Sequence, residues 1–474
     1  MNVLSVASEC APLVKTGGLA DVVGALPGAL KDEGVEMRTL IPGYPAVMSA
    51  LSKKKAVFTE KKCFGGTAKV VRGSVAGLDL YVLDAPHLFD RPGEIYLDSA
   101  GRDWPDNPQR FAALSWIAAR LGTGADKAWR PAILHCHDWQ AGLVPEYLRQ
   151  MPLPHPATIQ TIHNIAFHGL ADEALLDDLK LEEDRFTRDG FEYWGKISAL
   201  KAGLMGADRL TTVSPTYARE LMTEAFGMGL DGVMRFRRDD LSGILNGIDE
   251  DVWNPATDSN VKKYKTLRGK AANKTALLKE FGLKPASGPL CVVITRLTEQ
   301  KGIDMLLDAL PNLLARGGQL ALLGSGNPTF EEALRTAATH ASVGVKIGYD
   351  EALSHRMMAG GDAILVPSRF EPCGLTQLYG LRYGTLPLVG RTGGLADTII
   401  DANTAALDRG VATGVQFTPI TTDELRNAFN RLCDLYYDAD RWKEMQKNAM
   451  AQPVGWARSA AAYATVYKDI AAPA

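Results

Sequence analysis

The chain has 474 residues, 46% of them hydrophobic and 23% charged, enough for two or more domains that each bury a core. A formal net charge of −3 speaks against a nucleic-acid binder or a partner of anionic membranes. No apolar run approaches the ~20 residues needed to cross a bilayer, and the six cysteines (Cys10, Cys63, Cys136, Cys291, Cys373, Cys433) never fall in a Cys-x-x-Cys spacing, which argues against structural zinc and fits a reducing cytoplasm without disulfides.

The start, Met1-Asn2-Val3-Leu4-Ser5-Val6, lacks a basic leader and reads as a first strand. Short apolar runs then alternate with longer helix-like stretches, the pattern of parallel α/β sheets. Strands are expected at Val3 to Ala7, Met37 to Ile41, Leu78 to Leu83, Ile133 to His135, Thr158 to Ile162 and Arg209 to Val213. Ala56 to Val75 reads as a hairpin turning at Gly65-Gly66, and Phe111 to Leu121 as a helix. The turn formers Asn246-Gly247-Ile248-Asp249 and Trp253-Asn254-Pro255 break the pattern and set a domain boundary. Alternation resumes with strands at Pro289 to Thr295, Gln319 to Leu323, Val343 to Ile347, Ala363 to Val366 and Leu386 to Val389. The tail from Thr421 to Ile470 is helical in spacing and broken at Pro453, and its last part could pack back across the boundary. The resulting division is 1–245, 246–455 and a terminal helix in 456–474.

The hexapeptide Thr-Gly-Gly-Leu-Ala-Asp occurs twice, at Thr16–Asp21 after Lys15 and at Thr392–Asp397 after Arg391. Each copy follows an apolar run and opens a helical segment. Paired glycines there let backbone approach a ligand closely, and a helix start directs free N–H groups at an anion. A strand-to-helix turn needing glycine only for its geometry is the plainer alternative for either copy alone.

Open parallel sheets bind ligands beyond the C-terminal ends of their strands, and most of the unusual residues fall there. Arg296 and Lys301 follow one strand and precede a new helix, a strong place for a phosphate or diphosphate. Pro367-Ser368-Arg369-Phe370-Glu371-Pro372-Cys373-Gly374-Leu375-Thr376-Gln377 follows another, where Glu371 could hold sugar hydroxyls or merely cap a helix. Cys373 reads as a packing or lining residue. His135-Cys136-His137-Asp138-Trp139 and His163-Asn164-Ile165-Ala166 end two strands of the first half. They lack the helical His pair of a zinc protease, so Asp138 and His163 read as polar groups for a sugar and Trp139 as packing. There is no Gly-x-Ser-x-Gly elbow and no Gly-x-x-x-x-Gly-Lys-Ser/Thr loop, which removes a serine hydrolase and a P-loop ATPase. Gly324-Ser325-Gly326 is a weak nucleotide-loop candidate, and Tyr349 could stack on a base or be an ordinary surface tyrosine.

Together these motifs resemble, over nearly the whole chain, the bacterial glycogen synthase and plant starch synthase family of retaining glucosyltransferases. The resemblance rests on Lys15-Thr16-Gly17-Gly18-Leu19, His137-Asp138-Trp139, His163-Asn164-Ile165-Ala166, Asn246-Gly247-Ile248-Asp249 through Trp253-Asn254-Pro255, Arg296 with Lys301-Gly302, Glu371 through Gln377, and Arg391 through Asp397. It implies an α/β fold of two Rossmann-like domains with parallel sheets facing across a deep cleft (GT-B). It also implies transfer from ADP-glucose to the non-reducing end of an α-1,4-glucan such as glycogen, in the cytoplasm, with no metal or other cofactor and no nucleic-acid or membrane partner. By the same resemblance Lys15, Gly17 and Gly18 contact the donor, and Arg296 and Lys301 hold its distal phosphates, helped by Gly374, Leu375 and Thr376. Asp138, His163, Asn246 and Glu371 surround the glucose, Cys373 lines the site, and Tyr349 stacks on adenine. Glu371, His163, Arg296, Lys301 and Asp138 are the catalytic candidates.

Many retaining transferases of this fold carry a second glutamate eight residues after the first, where this chain has Tyr379, so ribose contacts do not carry over. Plant starch synthases also begin with a leader and extra modules, so a bacterial-type enzyme fits better. A glucan phosphorylase shares the fold but is much longer and needs a Schiff-base lysine. A non-catalytic glucan binder would not need every cationic and carboxylate position filled.

Overall fold

A computed structural model describes residues 1–471. The chain forms two compact units, one built from Met1–Asn246 and the stretch from Trp456 onward, the other from Gly247–Gly455. Asn246 therefore belongs to the first unit rather than opening the second.

The first unit is built on strands β1 (Asn2–Val6), β2 (Glu36–Pro42), β3 (Ser52–Cys63), β4 (Gly66–Val75), β5 (Leu78–Asp84), β6 (Ile133–His137) and β7 (Ala157–Ile162). A small sheet of β8 (Leu170–Asp172), β9 (Glu192–Tyr193) and β10 (Lys196–Ser198) follows, and then β11 (Arg209–Thr212) and β12 (Leu241–Gly243) rejoin the main sheet. Its order is β12-β11-β7-β6-β1-β2-β5-β4-β3. The pairing is parallel from β12 through β5 and turns antiparallel across β5, β4 and β3. The expected hairpin thus joins the parallel sheet as an antiparallel edge and makes it mixed, since strands joined by a two-residue turn can pair only with reversed direction. β3 is an edge strand rich in lysine and broken by register shifts, two devices that discourage pairing with another chain.

Fully buried Leu4, Val6, Leu40, Leu80 and Leu134 pack one face against the helix Asn107–Gly122. On the other face Val3, Val22, Leu26, Ile133, Ile159 and Ile244 meet Trp456, Ala460, Tyr463, Ala464 and Tyr467 of the terminal helix Ala457–Ala471. Tyr467 also reaches into the sheet, its hydroxyl 2.7 Å from His135 Nδ1.

The second unit has one sheet of β13 (Leu290–Ile294), β14 (Gln319–Gly324), β15 (Val343–Ile347), β16 (Ala363–Val366), β17 (Leu386–Gly390) and β18 (Val415–Phe417). The order is β15-β14-β13-β16-β17-β18, parallel throughout. Parallel strands covered on both faces read as continuous apolar runs, which is why five of these six stood out in the sequence. β18 did not, because only three residues pair.

Trp253 belongs to this unit and explains its own motif. Its ring lies between His355 (3.8 Å, 5°) and Tyr379 (3.7 Å, 14°), and His355 Nδ1 sits 2.7 Å from Asp258 Oδ2. Tyr383 donates its hydroxyl to the same carboxylate oxygen at 2.6 Å. Tyr379 is thus a stacking ring in the core, with no carboxylate role.

Candidate active site

Because the second sheet is parallel, the C-terminal ends of all its strands lie along one edge. Reading across it, the residues that follow the strands are Tyr349 (β15), Gly324-Ser325-Gly326 (β14), Arg296 and Lys301 (β13), Ser368 and Glu371 (β16), and Arg391-Thr392-Gly393 (β17). The β13 and β16 loops are tied together. Arg369 donates its amide to the Gln300 carbonyl at 2.8 Å, and Gln300 Nε2 donates to the Phe370 carbonyl at 3.2 Å. Gly302 has φ +70°, and a Cβ there would come within 2.1 Å of the Pro367 carbonyl oxygen. This crossing brings Lys301 Nζ to 2.5 Å from Glu371 Oε2, which also accepts the Ser368 hydroxyl at 3.0 Å.

Two contacts lie outside the expectations from sequence. Lys301 and Glu371, assigned separately to phosphate and sugar, form one largely buried ion pair. The second Thr-Gly-Gly turn packs its glycines onto the protein's own backbone. Gly393 has φ +43°, its Cβ would fall 1.9 Å from the Glu371 carbonyl oxygen, and that of Gly394 2.3 Å from the Cys373 carbonyl oxygen. The close approach these glycines permit is to the protein's own Glu371–Cys373 backbone. Gly394 donates its amide to the Glu371 carbonyl at 3.2 Å. Cys373 is buried, as are the other five cysteines, all free thiols. Gly374, at φ +74°, leads into the helix Thr376–Tyr383, whose N-cap Leu375 supplies no side-chain acceptor to the first-turn amides. Those amides and the Thr376 hydroxyl make an anion-directed helix start. Arg296 is exposed, and Tyr349 is 77% exposed, its hydroxyl bonded to Glu351.

In the first unit the C-terminal strand ends carry the Lys15 loop (β1), Asp138 (β6), His163 (β7) and Asn246 (β12). Asp138 sits at φ +52°, ψ −165°, a conformation that costs a non-glycine residue about 1–3 kcal/mol and concentrates at functional sites. Its Oδ1 accepts the His163 amide at 2.7 Å and the Asn164 amide at 3.4 Å. Burial pushes its pKa up to about 7, against the lowering effect of those amides, and the charge of Glu9 adds to the rise. His163 Nε2 lies 2.9 Å from His137 Nδ1, and His137 Nε2 3.1 Å from the Ser5 hydroxyl. Burial holds His163 and His135 near pKa 3, so these imidazoles are neutral at physiological pH. Asn246 Oδ1 is buried without a hydrogen-bond partner, which leaves an acceptor for a ligand hydroxyl. Trp139 packs edge-on against Phe111 and beneath Gly169.

Glu9 was not singled out in the sequence, yet it organises the first glycine loop. Its buried carboxylate takes the Thr16 amide (2.6 Å), the Thr16 hydroxyl (2.5 Å), the Gly17 amide (3.2 Å) and the Tyr96 hydroxyl (2.7 Å). The amides of Thr16 and Gly17 are therefore already filled. Gly17 and Gly18 have open space where a side chain would stand, and Lys15 Nζ lies 2.8 Å from Asp21. A carboxylate directly after a buried first strand was the available signal.

The chain is thus built of two Rossmann-like units, the second with a cation-lined strand edge and an uncapped helix start beside it. Residues 2–236 match the family model of the starch synthase catalytic domain, and 276–449 that of glycosyl transferases group 1. Curated relatives include a glycogen synthase of Jannaschia sp. (strain CCS1), 63% identical over 471 residues and covering 99% of each chain, and one of Paracoccus denitrificans, 60% identical over 472 residues and covering 99% of this chain and 100% of that one. Among solved structures, the catalytic domain of starch synthase IV from Arabidopsis thaliana, bound to ADP and acarbose, superposes with a TM-score of 0.89 at 32% identity over 99% of both chains. The chain belongs to the glycogen synthase and starch synthase family of glycosyltransferases. No helix among the described residues is long and apolar enough to cross a membrane.

Proposed function

We propose that the chain transfers glucose from ADP-glucose to the non-reducing end of an α-1,4-glucan, with retention, during glycogen synthesis in the cytoplasm. The observation that carries this reading is the strand edge of the second unit, where Arg296, the Lys301–Glu371 pair and the helix start at Gly374–Thr376 follow the neighbouring strands β13 and β16.

In this reading Arg296, Lys301 and the first-turn amides hold the diphosphate, and Tyr349 stacks on adenine. Glu371 of the second unit, with Cys373 beside it in sequence, is a group for the glucosyl moiety, as are Asp138, His163 and Asn246 of the first. Lys15, Gly17 and Gly18 add the contact from the first glycine loop. As the C1–O bond to the diphosphate breaks, negative charge gathers on the leaving group and positive character on C1. Cations and amides fixed in advance around the diphosphate stabilise that charge, and the chain's own groups do this without a metal ion. The acceptor hydroxyl attacks from the face the diphosphate leaves, forming the new C1–O bond and passing its proton to a phosphate oxygen. Glu371 offers a negative charge to the oxocarbenium-like centre, and His163, neutral, is a hydrogen-bonding group rather than a cation.

The test is nucleoside diphosphate release from ADP-glucose and from UDP-glucose, each with and without glycogen. Glycogen-dependent ADP release well above UDP release is expected. A UDP-glucose preference overturns the donor assignment, and no release from either overturns the enzymatic reading. EDTA should leave the rate unchanged.

A further inference from the structure

Lys270 stands where charge is costly: burial lowers its ammonium pKa to about 7. It is buried, and it is the first residue of the helix Lys270–Glu280, the end at which a cation opposes the helix dipole. Its own helix gives no reason for a lysine there. The reason lies at its tip. Nζ is 3.1 Å from the Met358 carbonyl, 3.0 Å from that of Ala359, 3.3 Å from that of Tyr383 and 2.6 Å from the Thr385 hydroxyl. Met358 and Ala359 lie in the last turn of the helix Glu351–Gly360, and Tyr383 is the last residue of Thr376–Tyr383. The ammonium therefore satisfies the terminal carbonyls of two helices at once, where a cation is favourable.

Those two helices share a second property. The first begins directly after Tyr349, and its N-cap Asp350 accepts the Leu353 amide at 2.8 Å. The second opens at Thr376, after Gly374 and Leu375. A helix of eight to ten residues is about 12–15 Å long, so one buried cation grips the far ends of the two rods whose near ends carry the adenine and diphosphate candidates. Thr385 reinforces the grip, since its hydroxyl accepts from Lys270 and is bonded in turn to the Met358 and Gly361 carbonyls.

We propose that Lys270 is a positioning residue for nucleotide binding: its ammonium, locked between the C-terminal carbonyls of helices Glu351–Gly360 and Thr376–Tyr383, sets the spacing of Tyr349 against Gly374–Thr376. The proposal rests on reading that strand edge as the ADP-glucose site.

Lys270→Met keeps the stem and removes the charge. ADP affinity by titration and KM for ADP-glucose should both weaken roughly tenfold, the size of a partly buried charge–helix interaction, while kcat and KM for glycogen stay within about twofold. Methylammonium should restore part of the ADP affinity of Lys270→Ala. Lys274→Met, one turn along the same helix, breaks a 2.7 Å pair with Asp362 and serves as the control; it should lower thermal stability and leave ADP affinity alone. Should Lys270→Met not fold, Thr385→Ala should show the same selective loss and Thr385→Ser should not. Wild-type ADP affinity in a folded Lys270→Met, or equal losses toward ADP and glycogen, overturns the proposal. Failure of wild-type protein to bind ADP overturns instead the site reading beneath it.

Discussion

The two Thr-Gly-Gly-Leu-Ala-Asp copies are identical in sequence and opposite in use. In the first, Gly17 and Gly18 face empty space, the loop is pinned from behind by Glu9, and Lys15 is 42% exposed beside it. In the second, Gly393 and Gly394 are pressed onto the carbonyls of Glu371 and Cys373. One copy leaves room beside its glycines; the other uses the missing side chains to seat the loop that carries Glu371. What a glycine motif means depends on what its glycines face.

The largest expected effect is Lys301→Ala, which leaves Glu371 buried beside the second copy without its cation; turnover should fall on the order of 10²-fold or more, and near-normal turnover would refute the leaving-group role. Arg296→Ala, on the same edge but exposed, should cost about as much in rate with little change in melting temperature. Gly393→Ala should destabilise by roughly 3 kcal/mol or more, because a Cβ cannot share space with the Glu371 carbonyl; calorimetry of that variant beside Gly17→Ala, expected within about 0.5 kcal/mol of wild type, tests the contrast directly. Equal melting temperatures would break it. Lys15→Gln should raise KM for ADP-glucose about tenfold with the fold intact, and unchanged donor kinetics would count against any role for the open copy.

The smallest effect concerns pH. Asp138 titrates near 7 in the folded protein and near 3.8 unfolded, so the folded state holds the extra proton between those values. Its contribution to stability is complete below about pH 4 and is lost as pH rises through about 7. His163 and His135 act in the opposite sense, losing stability as pH falls from about 6.5 toward 3. Removing the opposing carboxylate in Asp138→Asn should therefore steepen the loss of stability on acidification, by up to about 1.4 kcal/mol per pH unit. An unchanged slope would place the Asp138 pKa near its ordinary value.

Much of this was legible because it follows from local pattern. Buried parallel strands show as apolar runs, and the residues just after them mark the binding edge by topology alone. What stayed hidden depends on tertiary approach. Nothing near Gly393 announces that the Glu371 carbonyl lies against it, and nothing near Lys301 announces its pairing across 70 residues with Glu371. Glu9 and Lys270 look like ordinary surface residues until their partners are seen. Tyr379 stood out as a departure from relatives, and its explanation, a stack on Trp253, lies outside its own segment. The antiparallel edge was anticipated as a hairpin, but its membership of the main sheet was not.

The return of the terminal helix to the first unit has a consequence for biosynthesis. One face of the β1–β6–β7 core is closed by Trp456, Tyr463 and Tyr467, and His135 finds its hydroxyl partner in the last of these. A ribosome adding about 5–20 residues per second emits the entire second unit before that covering arrives. The nascent first unit therefore has only Val22, Leu26 and their neighbours over that apolar sheet face until Trp456, Tyr463 and Tyr467 arrive.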